Sequence, residues 1–418
     1  MKATRMAQGK TGFRLLDGLK VLDFSTLLPG PCATMMLADL GADVLRIESP
    51  TRPDFLRLLP PRQGDGSAAH AYLNRGKRSL GLDLKKPGAV SVVKRLLEDY
   101  DIIVEQFRPG VMDRFGLSYE ALKQQWPQLI YCSITGYGQY GQFSQRAGHD
   151  INYLGLAGIS SYSGHAAEGP AVSGIQIADV AGGSHQAVMN VLAAVIHRQR
   201  TGEGVHLDVS MTDAALALNH MSMAAVLAGG VVPSLESDVL NGAGAYNYFE
   251  TSDGRYMAAG ALEPQFAQAL CAALDIRHLV PTMVSQRPED RAKSREALRE
   301  IFRTRSQQEW IKLFANVDAC VEPVFTLDES ARHPLFEERD MFVEIEDRAS
   351  GNLSRQLAPA VVMQQGEDRG RPLPAFSGAA LGEDTLAVMQ ELGFDEDELG
   401  VLEGEGVFGP RGLKQAER

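Results

Sequence analysis

The chain has 418 residues, of which 44% are hydrophobic and 22% charged. This length exceeds what one hydrophobic core usually supports, so we expect two globular domains. The sequence has no apolar run long enough to span a membrane, and its net charge of −12 argues against non-specific binding of nucleic acid.

The cysteines and the chain ends carry few signals. Cys32, Cys132, Cys271 and Cys320 lie far apart, which predicts neither a disulfide framework nor a metal site. Residues 1–15 form a basic tail without the apolar stretch of a signal peptide, and the last three residues are not a peroxisomal signal. We therefore expect a cytoplasmic protein.

Strand and helix patterns alternate in the first part of the chain. A helix beginning near Pro31 follows the first buried strand, and Gly41 ends it. Such alternation predicts a parallel sheet covered by helices, that is, an α/β fold with a Rossmann-like large domain. Strands are predicted at Lys20–Phe24, Asp43–Glu48, Asp101–Glu105 and Leu129–Ile134.

The later elements predict a second domain inserted into the first. Helices are expected at His185–Arg200 and Asp213–Leu227, with the strand Val205–Ser210 between them. Glycines and Pro233 then mark loose connections. We place the first part of the large domain at 16–228, a smaller α+β domain with its linkers at 229–334, and the return to the large domain with the C-terminal tail at 335–418.

Cationic residues cluster after predicted strands. A lone arginine or lysine is most often solvated surface charge, but several together at strand ends favour an anion site. The candidates are Arg46, Arg75, Lys77, Arg78, Arg108 and Arg114.

Two short segments carry acid–base candidates. His149 precedes Asp150 in a polar turn, and histidine titrates near neutral pH, which suits proton transfer. Asp179 precedes a long apolar helix, followed by Gly182 and Gly183, which would let a ligand approach the backbone. Both aspartates have an alternative interpretation as helix caps.

Residues 136–141 match G-x-G-x-x-G after a predicted strand. A dinucleotide site also needs a helix opening at these glycines and an acidic residue about 20 positions further on. Neither is evident, so we interpret the segment as a glycine-rich loop without NAD.

Taken together, these segments resemble the family III CoA-transferase superfamily, and within it the α-methylacyl-CoA racemase branch. The similarity runs from about Leu16 to Leu402. It is carried by the segments 37–48, 75–79, 107–112, 148–153, 178–179, 263–266 and 319–323.

The resemblance implies an isomerase that inverts the α-carbon of 2-methylacyl-CoA thioesters in lipid metabolism. His149 and Asp179 would be the two acid–base groups, Glu263 would support His149, and the six cations would contact CoA. No cofactor is expected, because CoA is part of the substrate. The resemblance also implies an interlocked homodimer, with Glu263 supplied by the partner chain.

Two other functions are compatible with these residues. A CoA-transferase would use Asp150 to form an acyl anhydride. A non-catalytic acyl-CoA-binding regulator would leave His149, Asp179 and Glu263 unexplained.

Overall fold

A computed structural model describes residues 13–63, 66–348, 350–410 and 412–414 of the chain. These residues form two compact units. The first includes the described residues up to Tyr153, then Gln176–Ala215, and those from Leu335 onward; the second includes Leu154–Ile175 and Leu216–Pro334. The domain boundaries at 16–228, 229–334 and 335–418 stay a prediction beside this division.

The first unit is built around a six-stranded parallel sheet. Its strands are β1 Lys20–Asp23, β2 Asp43–Glu48, β3 Lys77–Gly81, β4 Ile102–Glu105, β5 Ile130–Thr135 and β6 Val205–Ser210. Their order in the sheet is β3-β2-β1-β4-β5-β6, which confirms the predicted Rossmann-like α/β fold. The chain adds β2 and β3 on one side of β1 and the later strands on the other side. Open parallel sheets bind ligands at the carboxyl ends of the strands where the strand order reverses in this way.

Helices follow these strands along the chain. They are α1 Pro29–Asp39, α2 Ala68–Leu73, α3 Pro87–Leu96, α4 Val111–Arg114, α5 Tyr119–Leu122, α6 Asp150–Leu156, α7 His185–Thr201 and α8 Met211–Ala217. A π-helix, Ala178–Ser184, leads directly into α7. The predicted single helix at Asp213–Leu227 is wrong, because Leu218 and Asn219 separate α8 from the next helix.

The second unit packs helices on a three-stranded antiparallel sheet of β7 Asn247–Glu250, β8 Tyr256–Ala259 and β9 Val321–Pro323. Its core includes Phe249, Met257, Phe302 and Trp310. The helices are α9 His220–Leu227, α10 Pro264–Ala273, α11 Val280–Met283, α12 Pro288–Phe302, α13 Gln307–Phe314 and α14 Leu327–Ser330.

The chain then continues with α15 Pro334–Glu338, the hairpin β10 Phe342–Glu346 and β11 Leu353–Leu357, and the helices α16 Thr385–Glu391 and α17 Glu396–Gly404. Sequence reasoning missed α17. Asp395 and Glu398 cap its start reciprocally, a signal present in the sequence as D-x-x-E before an apolar run. Among the described residues, no helix is long and apolar enough to cross a membrane.

Buried ion pairs hold the carboxyl ends of β1 and β2 to the rest of the first unit. The Lys77 ammonium lies 3.1 Å from the Asp23 carboxylate, and both side chains are at most 1% exposed. It also donates to the Pro31 carbonyl and the Asn74 amide oxygen. Burial lowers the pKa of Lys77 to about 8, although the charge of Asp23 opposes that effect.

Removing Lys77 should therefore leave the buried carboxylate of Asp23 without its ion-pair partner. We expect Lys77→Ala to lower the free energy of unfolding of the first unit by about 3–5 kcal/mol. The matched control is Lys20→Ala, since the ion pair of Lys20 with Asp99 is exposed, and such a pair contributes about 1 kcal/mol or less. Urea unfolding measures both; equal losses would contradict this account.

Candidate functional site

The polar turn that carries His149 lies beyond the carboxyl end of β5. From Gly136 to Gly148 the backbone forms turns rather than a helix, and α6 begins at Asp150. His149 is exposed, and its backbone N–H donates to the side chain of Asn152 at 3.0 Å. The imidazole is thus presented to solvent at the start of a helix whose first turn holds its backbone.

Two tyrosines fix the shape of this turn. The Tyr153 hydroxyl donates to the Gly148 carbonyl at 2.7 Å, and the rings of Tyr137 and Tyr153 pack edge to face at 5.3 Å. A Cβ atom added at Gly148 would lie 2.6 Å from the Tyr137 Oη and 2.7 Å from a Tyr153 ring carbon. Glycine is therefore required at 148 because the two rings close on the backbone.

Asp150 connects this turn to the second acidic segment. Its Oδ1 accepts a hydrogen bond from the backbone N–H of Asp179 at 3.1 Å, and its side chain is buried. The carboxylate thus binds the start of the π-helix rather than capping its own helix, as the capping hypothesis supposed. Asp150 is accordingly the residue that brings the two predicted segments together.

Asp179 lies in the first turn of the π-helix and is half-buried. Its pKa is raised to about 6, chiefly by burial and then by the nearby charge of Asp150, while His149 acts in the opposite direction. No described residue donates a hydrogen bond to its carboxylate. His149, Asp150 and Asp179 thus lie within electrostatic reach of one another, and Asp179 can hold a proton near neutral pH.

The two glycines after Asp179 do not leave room for a ligand. A Cβ at Gly183 would lie 2.9 Å from the Cβ of Pro29, and one at Gly182 would lie 3.3 Å from that of Ala214. Ser184 also donates to the Pro29 carbonyl at 2.7 Å. The hypothesis of close ligand approach at these glycines is wrong, because they pack the π-helix against α1 and α8.

Glu263 belongs to the second unit and is exposed. It is the residue before α10, and Pro264 opens the helix, but its carboxylate makes no capping hydrogen bond. Burial, the charge of Asp318 and the charge of Glu263 together raise the pKa of the Cys320 thiol in the same unit. Glu263 therefore does not act as the cap of α10.

Three of the six predicted CoA-binding cations are engaged inside the first unit. Arg46, Arg75 and Lys77 are each 1% exposed. Arg46 lies 2.5 Å from Asp54, and Arg75 makes a paired contact with Asp39 at 2.7 and 2.9 Å. Their CoA contacts stay a prediction, but the structure favours a role in holding the strand ends.

The other three cations lie nearer the surface. Arg78 contacts Asp43 and Glu391, whereas Arg108 and Arg114 are exposed. Arg114 lines an open groove of about 500 Å³ with Lys85 and Lys86, over an apolar floor that includes Val90 and Phe115. Sequence reasoning missed both lysines, although their adjacent positions before Pro87 were a visible signal.

No group of three or more histidine, cysteine, aspartate and glutamate side chains in the described part of the chain is arranged to hold a metal ion. The acid–base groups above thus have no metal-ligand arrangement around them.

Comparison with known proteins places these segments in one family. The profile of CoA-transferase family III matches residues 16–385. The chain belongs to CoA-transferase family III. It is 34% identical to human alpha-methylacyl-CoA racemase over 397 residues, covering 94% of this chain and 97% of that protein.

Other members of the family are almost as similar. The human succinyl-CoA:glutarate CoA-transferase is 31% identical over 94% of this chain and 89% of its own length. A crystal structure of a CAIB/BAIF family protein from Brucella suis superposes with a TM-score of 0.77 at 29% identity, covering 90% of this chain and 99% of that one. The family is established, whereas racemase and transferase relatives both occur at this level of identity.

The packing of Tyr137 and Tyr153 against Gly148 can be tested by substitution in this family III enzyme. We expect Gly148→Ala to displace Tyr137 and Tyr153 and thereby misplace His149, lowering kcat for the acyl-CoA substrate by about 10-fold or more. Gly155→Ala is the control, because a Cβ there meets no atom within 4 Å. Steady-state kinetics measures both, and an unchanged kcat in Gly148→Ala would contradict the assigned geometry.

Proposed function

We propose that this enzyme inverts the α-carbon of 2-methylacyl-CoA thioesters by proton transfer between two groups. The observation that carries the proposal is the hydrogen bond from the Asp179 backbone to Asp150. His149 directly precedes Asp150, and its charge acts on Asp179, whose pKa is about 6. Racemisation needs one basic and one protonated group flanking one carbon. The 34% identity to a racemase over nearly the whole chain supports the same assignment.

In one direction the imidazole of His149 removes the α-proton, and neutral Asp179 donates a proton to the opposite face. In the reverse direction Asp179 is the base and protonated His149 is the acid. A carboxyl group with an ordinary pKa would be ionised at neutral pH, so burial of Asp179 is what keeps a useful fraction protonated. Glu263 would orient His149, as the family resemblance implies.

The α-hydrogen of a thioester is a weak acid, so charge that develops on the thioester oxygen must be stabilised. The first N–H groups of a helix have no acceptor within the helix. We assign this role to the backbone N–H groups of Asp150 and Ile151, for which the described residues provide no hydrogen-bond acceptor. No cofactor is needed for this chemistry.

For the CoA nucleotide we favour three cations that border a groove of the first unit, of which Lys85 and Arg114 are exposed and Lys86 is half-buried. Lys85, Lys86 and Arg114 border one groove with an apolar floor, and none of the three forms an ion pair with a described acidic residue. Phosphates bind such unneutralised clusters, whereas the flat apolar floor suits a base or ribose. Binding there would supply positioning energy far from the reacting carbon.

We further propose a homodimer. Large apolar side chains are exposed along one segment of the second unit, with Met221 76%, Leu227 80%, Val231 90% and Val232 68% exposed. Contiguous exposed apolar residues mark protein interaction sites. A second copy of the chain would cover them, and it would also supply Glu263 to the site of its partner.

A CoA-transferase that acylates Asp150 is the second candidate, since transferase relatives are 31% identical over 94% of this chain. That mechanism needs an accessible carboxylate as nucleophile. Asp150 is buried, and one of its oxygens already binds the Asp179 backbone. This arrangement favours a positioning role over acyl transfer.

Exchange of the α-proton with deuterated water tests the proposal with separate epimers of 2-methylacyl-CoA. We expect His149→Ala to abolish deuterium uptake by one epimer and Asp179→Asn to abolish uptake by the other, because each variant keeps one base. Both variants should lose inversion. Mass spectrometry measures the label, and chiral chromatography of the hydrolysed acids measures inversion.

The CoA-transferase alternative predicts a different result. Transfer of CoA to a free carboxylate, with an acyl-enzyme that hydroxylamine traps and that Asp150→Asn abolishes, would establish the transferase. Unchanged exchange of both epimers in His149→Ala would refute the two-base mechanism.

A further inference from the structure

A small polar cavity of about 120 Å³ in the first unit contains none of the acid–base groups of the proposed mechanism. Side chains from one face of β4, β5 and β6 line it, with Glu105 in register with Ser133, and Tyr131 in register with His206. Strands of a parallel sheet are usually apolar on both faces, because helices cover them. The polar side chains on this face therefore depart from what an ordinary core requires.

Glu105, the last residue of β4, places a carboxyl group in this cavity. It is 4% exposed, and its Oε2 accepts a hydrogen bond from the Phe107 N–H at 2.8 Å. The pKa of Glu105 is raised to about 7, chiefly by burial. Hydrogen bonds from Ser133 and Phe107 lower this pKa, whereas the charges of Asp208 and Asp113 raise it. The carboxyl group can therefore change its charge near neutral pH.

The histidine and the tyrosines beside Glu105 bring no positive charge to it. His206 contacts the Ser133 hydroxyl at 3.0 Å and stacks on the Tyr119 ring at 5.3 Å. Burial lowers the pKa of His206, so its imidazole is neutral at pH 7. The Tyr131 hydroxyl donates to a backbone carbonyl at 3.0 Å.

The acidic groups around the cavity oppose the ionisation of Glu105. Asp113 of α4 and Glu120 of α5 line the cavity, and Asp208 of β6 acts on Glu105 through its charge. Lys123 pairs with Glu120 at 2.5 Å and neutralises that one acid. The carboxylate of Glu105 thus faces more negative than positive charge, and like charges repel strongly where water is excluded.

The cation that can compensate Glu105 lies on the loop 106–110, between β4 and α4. Among the described residues that line the cavity, Arg108 is the one cation, and its side chain is exposed. The bond between the Phe107 N–H and Glu105 holds the start of this loop. An inward movement of Arg108 toward ionised Glu105 would therefore shift the loop.

One turn of helix separates the cavity from the groove that the proposed function assigns to the CoA nucleotide. Asp113 of α4 lines the cavity, and the next residue, Arg114, lines the groove with Lys85 and Lys86. The helix α4 has four residues, and a helix this short is not stable by itself. Its position therefore depends on the loop before it and on the charge in the cavity.

We propose that Glu105 is a pH-sensitive switch for nucleotide binding in this groove. While Glu105 is protonated, α4 holds Arg114 beside the two lysines. When Glu105 releases its proton to solvent, the carboxylate repels Asp113 and draws Arg108 inward, and Arg114 leaves the groove. Nucleotide binding takes the proton up again, since coupling between two sites is reciprocal. This inference rests on the proposed groove, but it assigns control to a residue outside it.

Calorimetric titration with CoA at pH 6 and pH 8 tests the switch. We expect the Kd of the unaltered enzyme to rise about 5-fold more over this range than that of Glu105→Gln, because glutamine resembles the protonated carboxyl group and still accepts from the Phe107 N–H. Glu98→Gln removes an exposed carboxylate outside the cavity and should respond to pH like the unaltered enzyme. Equal pH dependence in the unaltered enzyme and Glu105→Gln would overturn the switch.

Arg108→Ala tests the compensating cation in the same titration. It removes the charge that stabilises ionised Glu105, so the midpoint of the pH dependence should move upward by about one pH unit or more. A weaker affinity with an unchanged midpoint would overturn the inward movement of Arg108.

Hydrogen–deuterium exchange of the ligand-free enzyme separates the switch from the groove, and neither measurement needs turnover by a racemase. We expect amides of residues 107–115 to exchange faster at pH 8 than at pH 6 after correction for intrinsic rates, and Glu105→Gln to remove this difference. Such exchange together with an unchanged CoA affinity in Arg114→Ala would refute the nucleotide groove and leave only the movement of the loop. Exchange that does not respond to pH, with an affinity that falls in Arg114→Ala, would refute the switch and keep the groove.

Discussion

The hydrogen bond between the Asp179 backbone and the Asp150 carboxylate is the contact on which the proposed chemistry depends. It joins the start of α6 to the start of a π-helix 29 positions away in the sequence. It is the hydrogen bond that connects the turn presenting His149 to the segment carrying Asp179. The pKa of Asp179 is raised chiefly by its own burial and then by the charge of Asp150, which this bond holds nearby.

The surrounding fold keeps both ends of this contact in place. The π-helix packs against α1, where Gly183 meets Pro29, and α1 begins close to the end of β1. The end of β1 is in turn fixed by the buried pair of Asp23 and Lys77. The sequence pattern assigns Arg46, Arg75 and Lys77 to substrate binding, but in the structure these cations form buried ion pairs inside the first unit. Under the proposed function, exposed cations such as Arg114, which forms no ion pair with a described acid, would contact the charged groups of the substrate instead.

The parallel sheet could be predicted from the sequence because alternating apolar strands and amphipathic helices specify it locally. The candidate acid–base residues could be predicted too, since His149 and Asp150 form a short polar turn that resembles a known family. Their mutual geometry could not, because the bond that connects Asp150 to Asp179 joins segments distant in the chain. The burial of Arg46 and Lys77 was equally hidden, because it depends on Asp54 and Asp23, which only the folded chain brings to these cations.

The second unit also contains a cavity of about 640 Å³ that could not be predicted from the sequence. Tyr248, Ala258 and Glu322 come from three strands, and only the register of the sheet places them side by side. Nothing in their local sequence distinguishes them from ordinary strand residues with one face exposed. The Cys320 segment, in contrast, belongs to the family resemblance, and the structure adds that it lines the cavity.

The shared environment of His149, Asp150 and Asp179 is tested most directly by carboxyl NMR titration of Asp179, assigned with Asp179→Asn. The account predicts a pKa of about 6 in the unaltered enzyme. It predicts a lower pKa in Asp150→Asn, which removes a like charge, and a higher pKa in His149→Ala, which removes a favourable one. An Asp179 that titrates like an exposed aspartate and responds to neither substitution would contradict it.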